Sequence, residues 1–177
     1  KHSSKETWEP QDGLERIFYT TVTAILTGIG FALLLISGMI MRGEKIDTRR
    51  GLLWGAGGFI AFVLAPSLGL PPELPGMITS DILARQTWWI ATAVASIVGL
   101  WFLVFSEKIY YKIFAVIIAL TPHLVGAPHP EVLSANGVPP ELAAQFVTVS
   151  IAVGGLFWAL IGGFSGYFYE RIERTNS

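Results

Sequence analysis

Long uncharged apolar runs alternate with short charged or proline-rich segments along this chain. The uncharged runs cover residues 17–41, 51–70, 87–105, 113–125 and 142–169. A helix needs about 20 mainly apolar residues to cross a hydrocarbon core of roughly 30 Å. The pattern therefore predicts an all-α, polytopic bundle of about five transmembrane helices, with a polar extramembrane segment at 1–16 and a polar tail at 170–177.

Composition supports an integral membrane protein, since 52% of the residues are hydrophobic and only 14% are charged. The net charge of −1 argues against nucleic acid as a partner and leaves membrane lipid as the expected surroundings. The sequence contains no cysteine. Any bound metal must therefore have nitrogen and oxygen ligands.

The lysines and arginines predict the orientation of the bundle. With five spans, the loops on one side hold Arg42, Lys45, Arg49, Arg50, Lys108, Lys112, Arg171 and Arg174, and those on the other side hold Lys1, Lys5, Arg16 and Arg85. The positive-inside rule makes the first side cytoplasmic, so that the N-terminus is outside and the C-terminus inside. All three histidines then face the outer compartment.

The segment TPHLVGAPHPE, residues 121–131, carries the most distinctive polar chemistry. Pro122 lacks an N–H group and is expected to bend or end the fourth helix, directly before His123. Gly126 and the following prolines favour a turn, which places His129 and Glu131 outside the membrane. A chain that folds back at Gly126 could bring the two imidazoles together in a metal or proton site.

Imidazole and carboxylate ligands together suit borderline divalent metals such as cobalt, nickel or zinc. The candidate ligands are His123, His129, Glu131 and Glu73. Simpler roles remain open for each of three: a solvated loop histidine for His129, donation to a carbonyl such as that of Ile118 for His123, and capping of its own turn for Glu73.

Proline and glycine positions predict how two of the spans are shaped and packed. Pro66 frees the carbonyl of Phe62 and is expected to kink the second span. Gly51 and Gly55 have the four-residue spacing that lets helices approach closely in lipid. The last span has a similar small-residue face, formed by Gly154, Gly155, Gly162, Gly163 and Gly166.

The segment before the third span resembles a short interfacial helix over residues 77–85. Asp81 lies in its first turn and is expected to form a surface ion pair with Arg85, four residues later. Trp88 and Trp89 then start the span, where indole rings typically anchor a helix in the headgroup region.

Enzyme signatures are absent from the sequence. There is no HExxH motif, no glycine-rich phosphate loop after a strand, and no nucleophile with a recognisable base. The sequence therefore predicts neither catalytic residues nor a covalent cofactor.

Several ordered motifs resemble the cobalt transporter subunit CbtA family. They read WEPQDGLERIFYT, LAPSLGLPPELPG, ARQTWW, TPHLVGAPHPE, VPPELAAQFVTVS and LFWALIGGFSGYFY. The resemblance implies a membrane-embedded subunit for cobalt uptake linked to cobalamin synthesis, paired with a small single-span CbtB subunit. The family pattern falls on Pro71, Pro72, Glu73, Pro75, Arg85, Gln86, Trp88, Pro122, His123, Pro128 and Glu131.

The resulting hypothesis is a subunit in the bacterial inner membrane, or an equivalent energy-transducing membrane, that admits a divalent metal from outside. Pro66 and Pro122 would open the helix backbones that line its path. The alternative is a non-transporting structural subunit of a larger respiratory or photosynthetic complex. In that case the glycine-rich last helix would be a docking face, and His123 or His129 would hold a pigment or nothing, with lipid as a further contact. The scarcity of charged residues within the spans favours this alternative.

Overall fold

Helices form all the regular secondary structure of the residues that the structure describes, which are 10–74, 77–130 and 138–176 of a computed structural model. They are α1 Leu14–Arg42, α2 Thr48–Ser67, α3 Ile82–Phe105, α4 Ile109–Val125 and α5 Pro140–Asn176. The all-α prediction is confirmed. Helices α1, α2, α3 and α5 are long and apolar enough to cross a membrane. Helix α4 has 17 residues and is about 26 Å long, which makes it the shortest of these five helices.

The largest differences between the helix ends and the predicted spans are at the end of α5 and the start of α3. Helix α5 continues to Asn176, so residues 170–176 of the expected polar tail are helical. Helix α3 begins at Ile82, and residues 77–81 have no helical structure. The separate interfacial helix predicted over 77–85 is therefore wrong. The side chain of Asp81 accepts a hydrogen bond from the N–H of Ala84 at 2.9 Å, which makes Asp81 the N-cap of α3 itself.

Helix α2 contains a π-helical segment, Ile60–Leu64, which ends two residues before Pro66. After it, the N–H of Ala65 donates to the carbonyl of Ile60, five residues earlier. The turn on the N-terminal side of Pro66 is therefore widened, and the kink expected at this proline stays a prediction. The hydroxyl of Ser67 donates to the carbonyl of Val63 at 2.6 Å and satisfies one backbone acceptor near the proline. Widened turns of this kind are frequent at functional sites.

Helices α2 and α5 pack backbone against backbone through their glycines. A Cβ atom added to Gly51 would clash with the carbonyl oxygen of Gly162, and one added to Gly55 would clash with that of Trp158. Gly166 is equally close to the carbonyl of Asp47. The other three glycines of the small-residue face, Gly154, Gly155 and Gly163, lie against side chains of α2. The glycine face of the last helix is therefore occupied within this chain.

Two further contacts complete the bundle. Helix α3 packs on α4, where Gly99 faces Ala119 and the fully buried Ala115. An aromatic and aliphatic core joins α1, α2 and α5, with Trp158 only 2% exposed and its ring stacked on Phe62. Most apolar side chains of α1 point outward, as expected for a helix surrounded by lipid.

Candidate cation site at one end of the bundle

Helices α2 and α4 end, and α3 begins, at the same end of the bundle, which we call the polar end. A Cβ on Gly69, just after α2, would meet both the Trp88 ring and the side chain of Ala127. The hydroxyl of Ser80, just before α3, donates to the carbonyl of Pro128 at 3.0 Å. The loop that carries Glu73, the last turn of α4 with His123 and the following segment with His129 therefore come together at the polar end.

Helix α4 passes through Pro122 and ends three residues later. The prediction that the helix ends at the proline is wrong, because helical structure continues to Val125 and stops at Gly126, whose φ is +90°. The predicted bend stays a prediction. The carbonyl of Pro122 accepts two hydrogen bonds, from the N–H of Gly126 at 3.1 Å and from Nε1 of Trp88 at 3.0 Å. Burial of the proline ring and the indole contact stabilise the last turn despite the missing donor.

His123 is half-buried, and its ring meets the edge of Trp88 with the centroids 5.6 Å apart. Trp88 is 8% exposed. Its expected role as a headgroup anchor is therefore wrong, because the absence of a side chain at Gly69 leaves room for the indole inside the bundle. Trp89 is half-buried and packs near Phe62, at 6.0 Å between ring centroids.

A cleft of about 570 Å³ opens at the polar end between α2, α3 and the proline-rich loop after α2. Its lining comprises Phe62, Val63, Pro66, Ser67, Leu70, Pro71, Pro72, Glu73, Arg85, Gln86, Trp89 and Ile90. Most of these side chains are apolar, and the π-helical segment contributes part of the wall. Glu73 and Arg85 are the charged residues in this lining, and Gln86 adds a neutral polar group.

Glu73 and Arg85 form an ion pair, with 2.5 Å between Oε2 and Nη2 and side chains 25% and 24% exposed. The predicted pairing of Arg85 with Asp81 is wrong, because Asp81 caps the helix instead. The sequence did contain a signal for the role of Asp81, because an aspartate immediately before an apolar helix is a typical N-cap. With Asp81 in that role, Arg85 in the first turn is available for another partner.

The candidate metal ligands are not gathered around one point in the described residues. Within 10–74, 77–130 and 138–176 there is no group of three or more His, Asp or Glu side chains that could hold a metal ion. Glu73 is paired with Arg85, His123 packs on Trp88, and His129 is exposed in the segment after α4. Glu131 lies outside the described residues. The four-ligand set therefore stays a prediction.

No curated protein and no solved structure matched the chain. A family model described as "Probable cobalt transporter subunit (CbtA)" matches residues 1–170 of the 177. The long apolar helices agree with an integral membrane subunit. Because the match covers nearly the whole sequence, the chain belongs to the CbtA family of probable cobalt transporter subunits.

Proposed function

We propose that this protein is the membrane subunit of a cobalt uptake system and that the ion is received at the polar end. The observation that carries this proposal is the open cleft, which contains a carboxylate in a bundle with a largely apolar surface. Charged groups near the membrane interior are costly and usually functional. The family description supports cobalt as the transported ion.

The chemistry of the polar end suits transient binding of a divalent metal. Glu73 offers a carboxylate, and His123, His129 and Glu131 offer further nitrogen and oxygen ligands on neighbouring segments. Helix α2 is interrupted by the π-helical segment and α4 contains Pro122, so that backbone carbonyls become available beside the site. In the proposed topology, the polar end faces the outside of a bacterial inner membrane or an equivalent membrane.

The driving force in this proposal is the membrane potential, acting together with a small single-span CbtB-like partner. The sequence has no glycine-rich phosphate-binding motif. A potential of 100 mV contributes about 2.3 kcal/mol per charge, or about 4.6 kcal/mol for a divalent ion. Such a free energy supports an accumulation of about 2,000-fold, which is ample for a scarce nutrient.

The structure weakens the argument that the glycine-rich last helix gave for the structural-subunit alternative. That alternative used the glycine face of α5 as a docking surface for another protein. In the structure this face packs on α2, with Gly162 against Gly51 and Gly166 against Asp47. The alternative therefore becomes one outcome of the transport test.

The test is radioactive cobalt accumulation in cells that lack their own uptake system and express the full chain with its partner. We expect His123→Ala and Glu131→Ala each to lower the initial rate at least about tenfold at equal membrane abundance, since loss of one good ligand costs about 1.4 kcal/mol or more. Glu107→Ala, in the loop between α3 and α4 at the other end, should transport normally.

Failure of the intact protein to exceed empty cells would reject the transport proposal. Migration of the protein with a large complex from native membranes would then support the structural alternative. If both site variants transport cobalt at the same rate as the Glu107→Ala control, the polar end is rejected as the place of ion binding.

A further inference from the structure

We propose that Arg85 is a tethered counter-ion, which occupies the Glu73 carboxylate until a divalent cation displaces it. The inference rests on the proposed function, because it concerns the same cleft and the same ion. It assigns to Arg85 the control of affinity and of charge selectivity.

The Glu73–Arg85 ion pair is largely covered by the protein but can still be reached from the cleft. Glu73 is carried by the loop after α2 and Arg85 by the first turn of α3, so the ion pair bridges two separate elements. Each side chain is about three-quarters covered, yet both line the open cleft. An incoming ion can therefore reach the carboxylate without unfolding of a helix.

Charge explains why a divalent cation would replace the arginine. While the pair is closed, the two charges cancel and a cation gains little from entering the cleft. A divalent ion carries twice the charge of a guanidinium and gains about twice its Coulomb energy at equal distance. A monovalent ion lacks that advantage and must compete with a side chain already held at 2.5 Å. The closed pair thus favours divalent over monovalent ions.

The arginine can leave its partner without loss of the surrounding structure. Its long side chain can swing toward solvent, because rotation about its own single bonds moves the charged head by several ångströms. The start of α3 is held independently, by the Asp81 cap on Ala84. The loops at the polar end are held by the Gly69 contact with Trp88 and by the Ser80 hydrogen bond to Pro128.

The distinguishing experiment is the dependence of the initial uptake rate on external Co²⁺ for charge-removing and charge-retaining variants. Because an ion pair no longer has to be broken, Arg85→Gln should lower the half-saturating Co²⁺ concentration about two- to fivefold. Arg85→Met, which keeps the apolar stem, should do the same. For Arg85→Lys the half-saturating Co²⁺ concentration should stay within about twofold of that of the intact protein, and for Glu73→Gln it should rise, because the carboxylate ligand is lost.

A matched control is Arg16→Gln, which removes an arginine from the exposed Asp12–Arg16 pair at the start of α1. It should leave half-saturation unchanged. A half-saturating concentration that is unchanged or higher in both Arg85→Gln and Arg85→Met, at equal abundance, would overturn the counter-ion role. If the Arg85→Gln protein does not reach the membrane in normal amounts, the half-saturating concentration of Arg85→Met alone decides between the two outcomes. Absence of uptake by the intact protein would instead reject the underlying transport function.

Discussion

Replacement of Gly51 by alanine is expected to lower the free energy of unfolding by about 3 kcal/mol, near the upper end of overpacking effects. The new methyl group would clash with the carbonyl oxygen of Gly162, and it would lie 3.0 Å from the Cα and N atoms of Gly166. All of these are backbone atoms in a helix, so no side-chain rotation can make room. Helices α2 and α5 would have to separate, and their whole glycine contact would loosen.

The matched control is Gly57→Ala in the same helix, where an added Cβ would meet nothing within 4 Å. Alanine is the better helix former by up to about 1 kcal/mol, so this variant should be neutral or slightly stabilised. Thermal unfolding of the full chain in detergent, followed by circular dichroism, should show an apparent Tm about 6–12 °C lower for Gly51→Ala. Equal melting of the two variants would mean that the α2–α5 contact does not stabilise the fold.

The sequence predicted which segments are helices, because a bilayer demands long apolar runs and tolerates few other structures. It also indicated a close helix contact from the spacing of Gly51 and Gly55. It did not identify the partner helix, since small residues permit close approach to any similar surface. The pairing with α5 depends on both helices presenting glycines at matching heights, which is a property of the assembled bundle.

Local backbone detail was harder to predict. Pro66 and Pro122 have the same chemistry, but one follows a π-helical segment and the other lies within a continuous helix. The difference comes from tertiary contacts, since the carbonyl of Pro122 accepts a hydrogen bond from the indole of Trp88, which is 34 residues away along the chain. A proline marks a missing hydrogen bond in any sequence, but its surroundings determine how the helix responds.

The candidate site was predicted by residue type rather than by geometry. Glu73 and His123 were selected because carboxylates and imidazoles bind metals, and the structure places both at the polar end. The partner of Glu73 was not predicted, because Arg85 lies 12 residues away across a loop of prolines and glycine. Sequence spacing identifies contacts within a helix, whereas contacts across a loop depend on the path of the chain.

Replacement of Trp88 by alanine is expected to destabilise the polar end by about 3–5 kcal/mol, the usual cost of removing a large buried aromatic side chain. The indole fills the space beside Gly69, donates to the Pro122 carbonyl and supports the ring of His123. Its removal would leave a cavity where α2, α3 and α4 meet. Thermal unfolding in detergent should show an apparent Tm lower by about 6–20 °C.

Two phenylalanine variants separate the hydrogen bond from the packing. Trp88→Phe keeps an aromatic ring but removes the Nε1 donor, and it should cost about 1 kcal/mol plus a smaller packing loss, because the Pro122 carbonyl retains the N–H of Gly126. Trp101→Phe, in the same helix but 38% exposed, should change stability by less. A Trp88→Ala protein as stable as Trp101→Phe would contradict a structural role for the indole. Because Trp88 contacts His123 and its neighbour Pro122, its loss should also weaken cobalt uptake in the fraction that still folds.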